Sequence, residues 1–187
     1  MAKKSARLKG KQWYTLKAPD MFNNQKVGEA VARNDEELMG RTVEAGATDL
    51  VSGCNKYYFK VYMKVDEVEG ETGKCKFAGH DSSRDFITRM IRRRSKRIDD
   101  RTVVETKDGK ELVAKIVCAT IKSVGASTQT GVRRKISETL KEKASEMTLA
   151  EFVDSLFSGK IQGQLKREAD KVYPIRAIEI RKTELVE

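Results

Sequence analysis

Histidine occurs once in this chain, at His80, which leaves too few imidazoles for a histidine-based metal centre. His80, Asp81 and Ser82 are adjacent, but a catalytic triad is a spatial arrangement and adjacency is no sign of one. Cysteine occurs three times, at Cys54, Cys75 and Cys118, far apart and without a C-x-x-C pair. That pattern reads as small buried hydrophobes rather than a disulfide framework. No run of about 18 apolar residues exists, so no membrane-spanning helix is expected. The N-terminus lacks the apolar stretch of a secretory signal, and both absences point to an intracellular protein. No G-x-G-x-x-G is present. Gly73-Lys74 resembles a phosphate loop, but Val68 stands where the first glycine belongs and Cys75 where Ser or Thr is required. Glu36, Glu37, Asp99 and Asp100 are acids of the kind that hold Mg²⁺ in a nuclease, but paired surface acids are common. No catalytic residue, metal or cofactor is therefore expected.

What the chain has is positive charge, unevenly placed. The net charge is +10 over 187 residues. Residues 1–17 carry Lys3, Lys4, Arg7, Lys9, Lys11 and Lys17 and no acid. Residues 84–97 carry seven bases against Asp85 alone. These two segments hold more than the whole net charge, and the remainder is nearly neutral. Concentrated cations on a neutral body point to a polyanion as partner.

Apolar residues make up 39% of the chain, enough to fill a core. Residues 1–11 are too polar to bury much area and read as a basic flexible arm, disordered when free. Residues 12–187 read as a single RNA-binding α+β domain. Strands are expected over 12–17, in short glycine-broken pieces over 40–53, over 57–68 and again over 74–80. Over 57–68 Tyr57, Phe59, Val61, Met63 and Val65 alternate with Lys60, Lys64 and Asp66, while Tyr58 and Tyr62 make the outer face partly aromatic. Asp108-Gly109 marks a tight hairpin between two further strands. Residues 123–130 look like a polar loop. After Gly131, Val132, Ile136, Leu140, Ala144 and Met147 recur at helical spacing. Thr148-x-x-Glu151 is a capping box that opens a second helix. A third is expected over 162–171, and one more strand over 173–187. This order predicts an antiparallel β-barrel-like sheet with helices packed on one side.

The segment RDFITRMIRRRSKR places Phe86, Ile87, Met90 and Ile91 within an arc of about 140° on an ideal helix. Arg89, Arg92 and Lys96 fall opposite, and Arg93 and Arg97 flank the stripe. Arg94 lands about 80° round, inside the apolar stripe, so the helix is expected to end near residues 93–95 and continue as a basic loop. A solvated cationic face is the ordinary reading of such a helix. Here arginine dominates, and no acid lies between Arg89 and Arg97 to neutralise it. Arginine grips phosphate bidentately and stacks on bases. Nucleic-acid contact is the better reading, through the backbone rather than by base sequence. Arg133, Arg134 and Lys135 form a weaker third cluster. Trp13, beside the arm, is placed to stack on a base, although strand packing is an equal use for it.

Two stretches resemble a known family. QWYTLKAPDMFNNQKVGEA carries Trp13, Tyr14, Lys17, Ala18, Pro19, Met21 and Phe22, followed by Val27-Gly28. LMGRTVEAGATDL carries Leu38, Gly40, Arg41, Glu44, Asp49 and Leu50. Both are similar to the S-three-a (eS-one) family of archaeal and eukaryotic small-subunit ribosomal proteins, in its shorter archaeal form. The basic segment over 81–100, the hairpin at Thr106–Gly109 and the Tyr173-Pro174 turn are similar too. The resemblance implies a cytoplasmic ribonucleoprotein constituent with a barrel-like body. It implies docking on rRNA at the platform of the small subunit, near the mRNA exit and the 3′ end of the small-subunit rRNA. Neighbouring ribosomal proteins, and mRNA near the exit, are the other implied partners. The alternative is a free RNA-binding factor in translation or RNA processing. An RNA-acting enzyme using acids and Mg²⁺ is a third reading.

Overall fold

The computed structural model describes residues 10–51, 54 and 56–186. Among these residues eight strands form one sheet: β1 (Gln12–Lys17), β2 (Lys26–Ala32), β3 (Thr42–Gly46), β4 (Phe59–Glu69), β5 (Thr72–Ser82), β6 (Arg97–Glu105), β7 (Glu111–Thr120) and β8 (Ile175–Leu185). Six α-helices accompany them: α1 (Asp35–Leu38), α2 (Ala47–Leu50), α3 (Arg84–Met90), α4 (Ala126–Glu146), α5 (Leu149–Ser158) and α6 (Lys160–Asp170). The fold is mixed α+β.

β5 is the hub. One edge pairs with β4 along nearly its full length, and β4 carries β3. The other edge is divided: Thr72–Lys74 takes β1 in parallel, and Gly79–Asp81 takes β8 antiparallel. β8 then carries β7, and β7 carries β6. The division depends on Gly79. A Cβ there would lie 2.1 Å from the Thr183 carbonyl oxygen, so any larger residue would push β8 off.

Local chemistry sets the strands. In β4, Phe59, Val61, Met63 and Val65 are buried at every second position, while Lys60 is exposed and Tyr62 and Lys64 are half-buried. β6 and β7 are joined by a hairpin in which Gly109, at φ +70°, donates its N–H to the Thr106 carbonyl. The Asp108 carboxylate accepts from the Leu149 N–H at 3.0 Å, tying that hairpin to the start of α5. α5 itself opens on the capping box of Thr148 and Glu151. Val132, Ile136, Leu140 and Ala144 of α4, Phe152 and Leu156 of α5, and Ile161 and Leu165 of α6 share one core with Ile98, Ile116 and Ile180 of the sheet.

The sheet is open and not barrel-like, which corrects the expected closure. Among the described residues β6 pairs with no strand but β7. α4 lies along it instead. Ser137 bonds Thr102 at 2.9 Å and Asp100, and the Arg133 Nε donates to the Asp99 carbonyl at 3.0 Å. With that edge occupied, closure has no partner. The sheet is also not purely antiparallel, because β1 runs parallel to β5. Three boundaries differ as well. α4 begins at Ala126, inside the stretch read as a loop. Within 40–53, read as short strands, Ala47–Leu50 forms the helical turn α2. Tyr57 and Tyr58 precede β4 in a turn instead of opening it.

Candidate nucleic-acid interface

α3 follows directly on β5 and buries Ile87, with Phe86 and Met90 half-buried. It stops at Met90, one turn earlier than its apolar spacing predicts, and Ile91 is extended at ψ 119°. The wheel gives the reason. A longer helix would carry Arg94 round to the apolar side and line up like charges at i,i+4. Instead residues 92–95 close a tight turn: Ser95 N donates to the Arg92 carbonyl at 3.1 Å, and Arg92 N donates to the Ser95 Oγ at 3.0 Å. Arg94 takes φ +68°. That left-handed backbone costs an L-residue on the order of 1 kcal/mol, and it puts Arg93 and Arg94 at the tip.

All of Arg89, Arg92, Arg93, Arg94 and Lys96 are exposed. Among the described residues none of them has an ion-pair partner. Arg97, at the start of β6, differs: its Nε and Nη2 both lie 2.8 Å from one oxygen of Asp99. Of the third cluster, Arg133 reaches the same strand through the Asp99 carbonyl. Arg134 turns to Glu138 at 2.9 Å and Lys135 to Glu168 at 3.5 Å, so these two are engaged within the protein. Arg97 also lines a shallow depression of about 290 Å³ with Arg101, Lys115 and Arg181, where Asp99 and Asp100 stand beside them and Lys115 pairs with Glu184 at 3.0 Å. Arg101, Lys115 and Arg181 are additions to the sequence reading. For Arg101 a signal existed, since Arg97 and Arg101 share the outward face of a strand with period two. For Arg181 there was none, because it sits at the bulge where β8 shifts register against β7.

The other expected segment lies elsewhere. Lys3, Lys4, Arg7 and Lys9 fall outside the described residues, and Lys11 is exposed next to β1. Trp13 lies on β1, half-covered at 47% exposure, opposite Val31 of β2. Thr15 is level with Thr72, while α3 begins beyond Ser82, the far end of β5. At about 3.3 Å per residue the strand separates the two by roughly 30 Å. The start of β1 and the arginine turn therefore lie at opposite ends of β5.

A groove of about 670 Å³ adjoins α3 where β8 peels away from β5. Tyr57, Tyr58, Phe86, Met90 and Ile178 give it apolar walls, and Asp85 and Arg89 stand among them. Tyr58 and Phe86 stack with centroids 3.5 Å apart and rings 5° from parallel. Behind them Glu179 is buried and accepts from Gln162 Nε2 at 2.7 Å, Tyr58 Oη at 3.3 Å and Lys56 Nζ at 3.4 Å. Burial, opposed by Glu179, lowers the Lys56 pKa, and burial together with Glu179 raises that of Tyr58. Among the described residues no group of three or more His, Cys, Asp and Glu is placed to hold a metal ion. No described helix is long and apolar enough to cross a membrane.

The profile of the Ribosomal S3Ae family matches residues 1–187. The chain is 36% identical over 179 residues to the small ribosomal subunit protein eS1 of Methanothermobacter thermautotrophicus, covering 96% of this chain and 92% of that one. It is 37% identical over 183 residues to the eS1 protein of Methanopyrus kandleri, covering 96% and 87%. Against the eS1 protein of Sulfurisphaera tokodaii it is 36% identical over 176 residues, covering 94% and 91%. The chain belongs to the Ribosomal S3Ae family.

Proposed function

We propose that this chain is a structural constituent of the small ribosomal subunit and not an enzyme. The α+β body holds the arginine turn against rRNA phosphates. The observation that carries the reading is that turn, Arg92–Arg94, strained at Arg94 and without carboxylate partners among the described residues. Exposed cations held together at a backbone cost are explained by a dense anion partner. Membership of the family and relatives named as eS1 supply the subunit.

Arg89, Arg92, Arg93, Arg94, Lys96 and Arg97 form the main contact. Arg133 supports it through β6, and Arg134 and Lys135 contribute once released from their acids. The arm residues Lys3, Lys4, Arg7, Lys9 and Lys11, with Trp13, make the second contact. The reading extends to the platform near the mRNA exit and the 3′ end of the small-subunit rRNA, with ribosomal proteins alongside and the chain cytoplasmic as part of the subunit.

Sedimentation of a lysate containing the tagged chain tests this. The chain is expected to remain with small subunits through a moderate salt wash. Release into the free fraction, with RNA binding intact, would make it a dissociable RNA-binding factor. A cross-linking map on the assembled subunit then tests the platform position.

A further inference from the structure

We infer that the groove beside α3 captures a single unstacked nucleotide, preferentially guanosine, from the RNA that the arginine turn grips. The inference rests on the RNA-binding reading above and gives it a second, base-reading element. Three observations carry it.

The first is the walls. Tyr57 is 77% exposed, a large aromatic left open at the mouth of the groove. Beneath it the Tyr58–Phe86 stack is fixed, with the Tyr58 hydroxyl donating to Glu179. Tyr57 meets Tyr58 edge-on, at 5.6 Å and 85°. A rigid aromatic floor with one open ring beside it suits a base, because every base has a π-face and proteins read unpaired RNA by stacking it. The volume, about 670 Å³, is within the range of pockets that enclose small organic groups.

The second is charge. Arg89 lines the groove, has no ion-pair partner among the described residues, and stands three residues before the turn. A backbone held at Arg92–Arg94 is thus led to Arg89, which takes the phosphate of the extruded nucleotide. An apolar protein side chain would fill the same walls but make no bond with Arg89 or Asp85.

The third is the acceptor. Asp85 is exposed at the groove and has no ion-pair partner among the described residues, while Glu179 is already bonded to three donors. A carboxylate only accepts. Guanine alone presents two adjacent donors, N1–H and the N2 amino group, on its Watson–Crick edge. The other bases set a donor beside a carbonyl or ring-nitrogen acceptor, which the carboxylate repels.

Titration of the full chain with two labelled RNA hairpins, one with a single-guanosine bulge and one fully paired, tests this at constant salt. Wild type should bind the bulged hairpin about fivefold to a hundredfold tighter, from stacking of one base. Tyr57→Ala should bring the ratio close to one. A third hairpin, with a uridine in the bulge, should bind wild type more weakly than the guanosine one, and Asp85→Asn should keep the bulge preference but lose that discrimination. Both residues are exposed, and a urea midpoint checks that each variant is folded. Changing Arg92, Arg93 and Arg94 to Ala should weaken both hairpins and leave the ratio intact. Equal wild-type affinity for the two hairpins overturns the nucleotide site and leaves the turn standing. Binding to neither overturns the RNA reading with it. A Tyr57→Ala chain that keeps its bulge preference but sediments apart from subunits assigns the groove to a protein neighbour and overturns the inference.

Discussion

Replacing Arg92, Arg93 and Arg94 together by Ala should change how rRNA binding responds to salt more than it changes anything else. Arg89, Arg92, Arg93, Arg94 and Lys96 have no carboxylate partner among the described residues, and Arg97 shares its charge with Asp99. If each of these five cations displaces one condensed counterion, they contribute roughly −4 to the log–log slope of affinity against salt, at about 0.7–0.9 per phosphate. Between 50 and 200 mM salt that contribution alone costs the wild-type chain roughly 250-fold in affinity. Removing three of them cuts the contribution to roughly −1.6, for which the same change in salt costs roughly tenfold. Filter binding of an rRNA fragment at five salt concentrations measures both slopes. The three side chains are exposed and bond to nothing among the described residues, so the urea midpoint should stay in place. Parallel salt dependences for wild type and variant would refute the assignment, whatever the absolute affinities.

Two further predictions concern the joint between β5 and β8. His80 is fully buried; its Nε2–H donates to the Ile180 carbonyl at 3.1 Å, and its Nδ1 accepts from the Thr183 hydroxyl at 2.6 Å. Burial lowers its pKa from 6.5 to about 4, so the unfolded chain takes up the proton first as pH falls. The stabilisation is complete above pH 6.5 and is lost on descending towards pH 4, by about 3 kcal/mol in all. His80→Gln should remove most of that part of the pH dependence in urea titrations at pH 7 and 4.5; an unchanged difference would contradict it. Gly79→Ala forces a methyl against the Thr183 carbonyl and should destabilise by about 1–3 kcal/mol or more, read from the urea midpoint, whereas an unshifted midpoint would mean β8 is not seated on that glycine.

Local chemistry was legible in the sequence, and long-range geometry was not. β1 over Gln12–Lys17, the Asp108-Gly109 hairpin and the Thr148–Glu151 capping box each depend on neighbours within a few residues. The parallel pairing of β1 with Thr72–Lys74 joins residues more than fifty positions apart, and no local pattern encodes it. The open edge of β6 depends on Ser137 and Arg133 of a later helix. At the candidate interface the clustered arginines were visible as a run of one charge sign. The early end of α3 was hinted at by Arg94 falling among apolar positions, yet its place at Met90 depends on the turn closed by Ser95. The groove was invisible, because Tyr57, Phe86 and Ile178 meet only when β8 leaves β5.

The position of β8 bears on how the protein is made. Ile175–Leu185 follows every other strand in chain order, yet it sits inside the sheet between β5 and β7. While the nascent chain is being translated, β1–β5 and the β6–β7 hairpin can each form, but as separate halves with no strand between them. Only when Leu185 clears the exit tunnel does the wedge arrive that joins them. Until then the β5 margin near Gly79 and the open side of β7 are bare, and a chaperone or a premature stop would find the protein in two pieces.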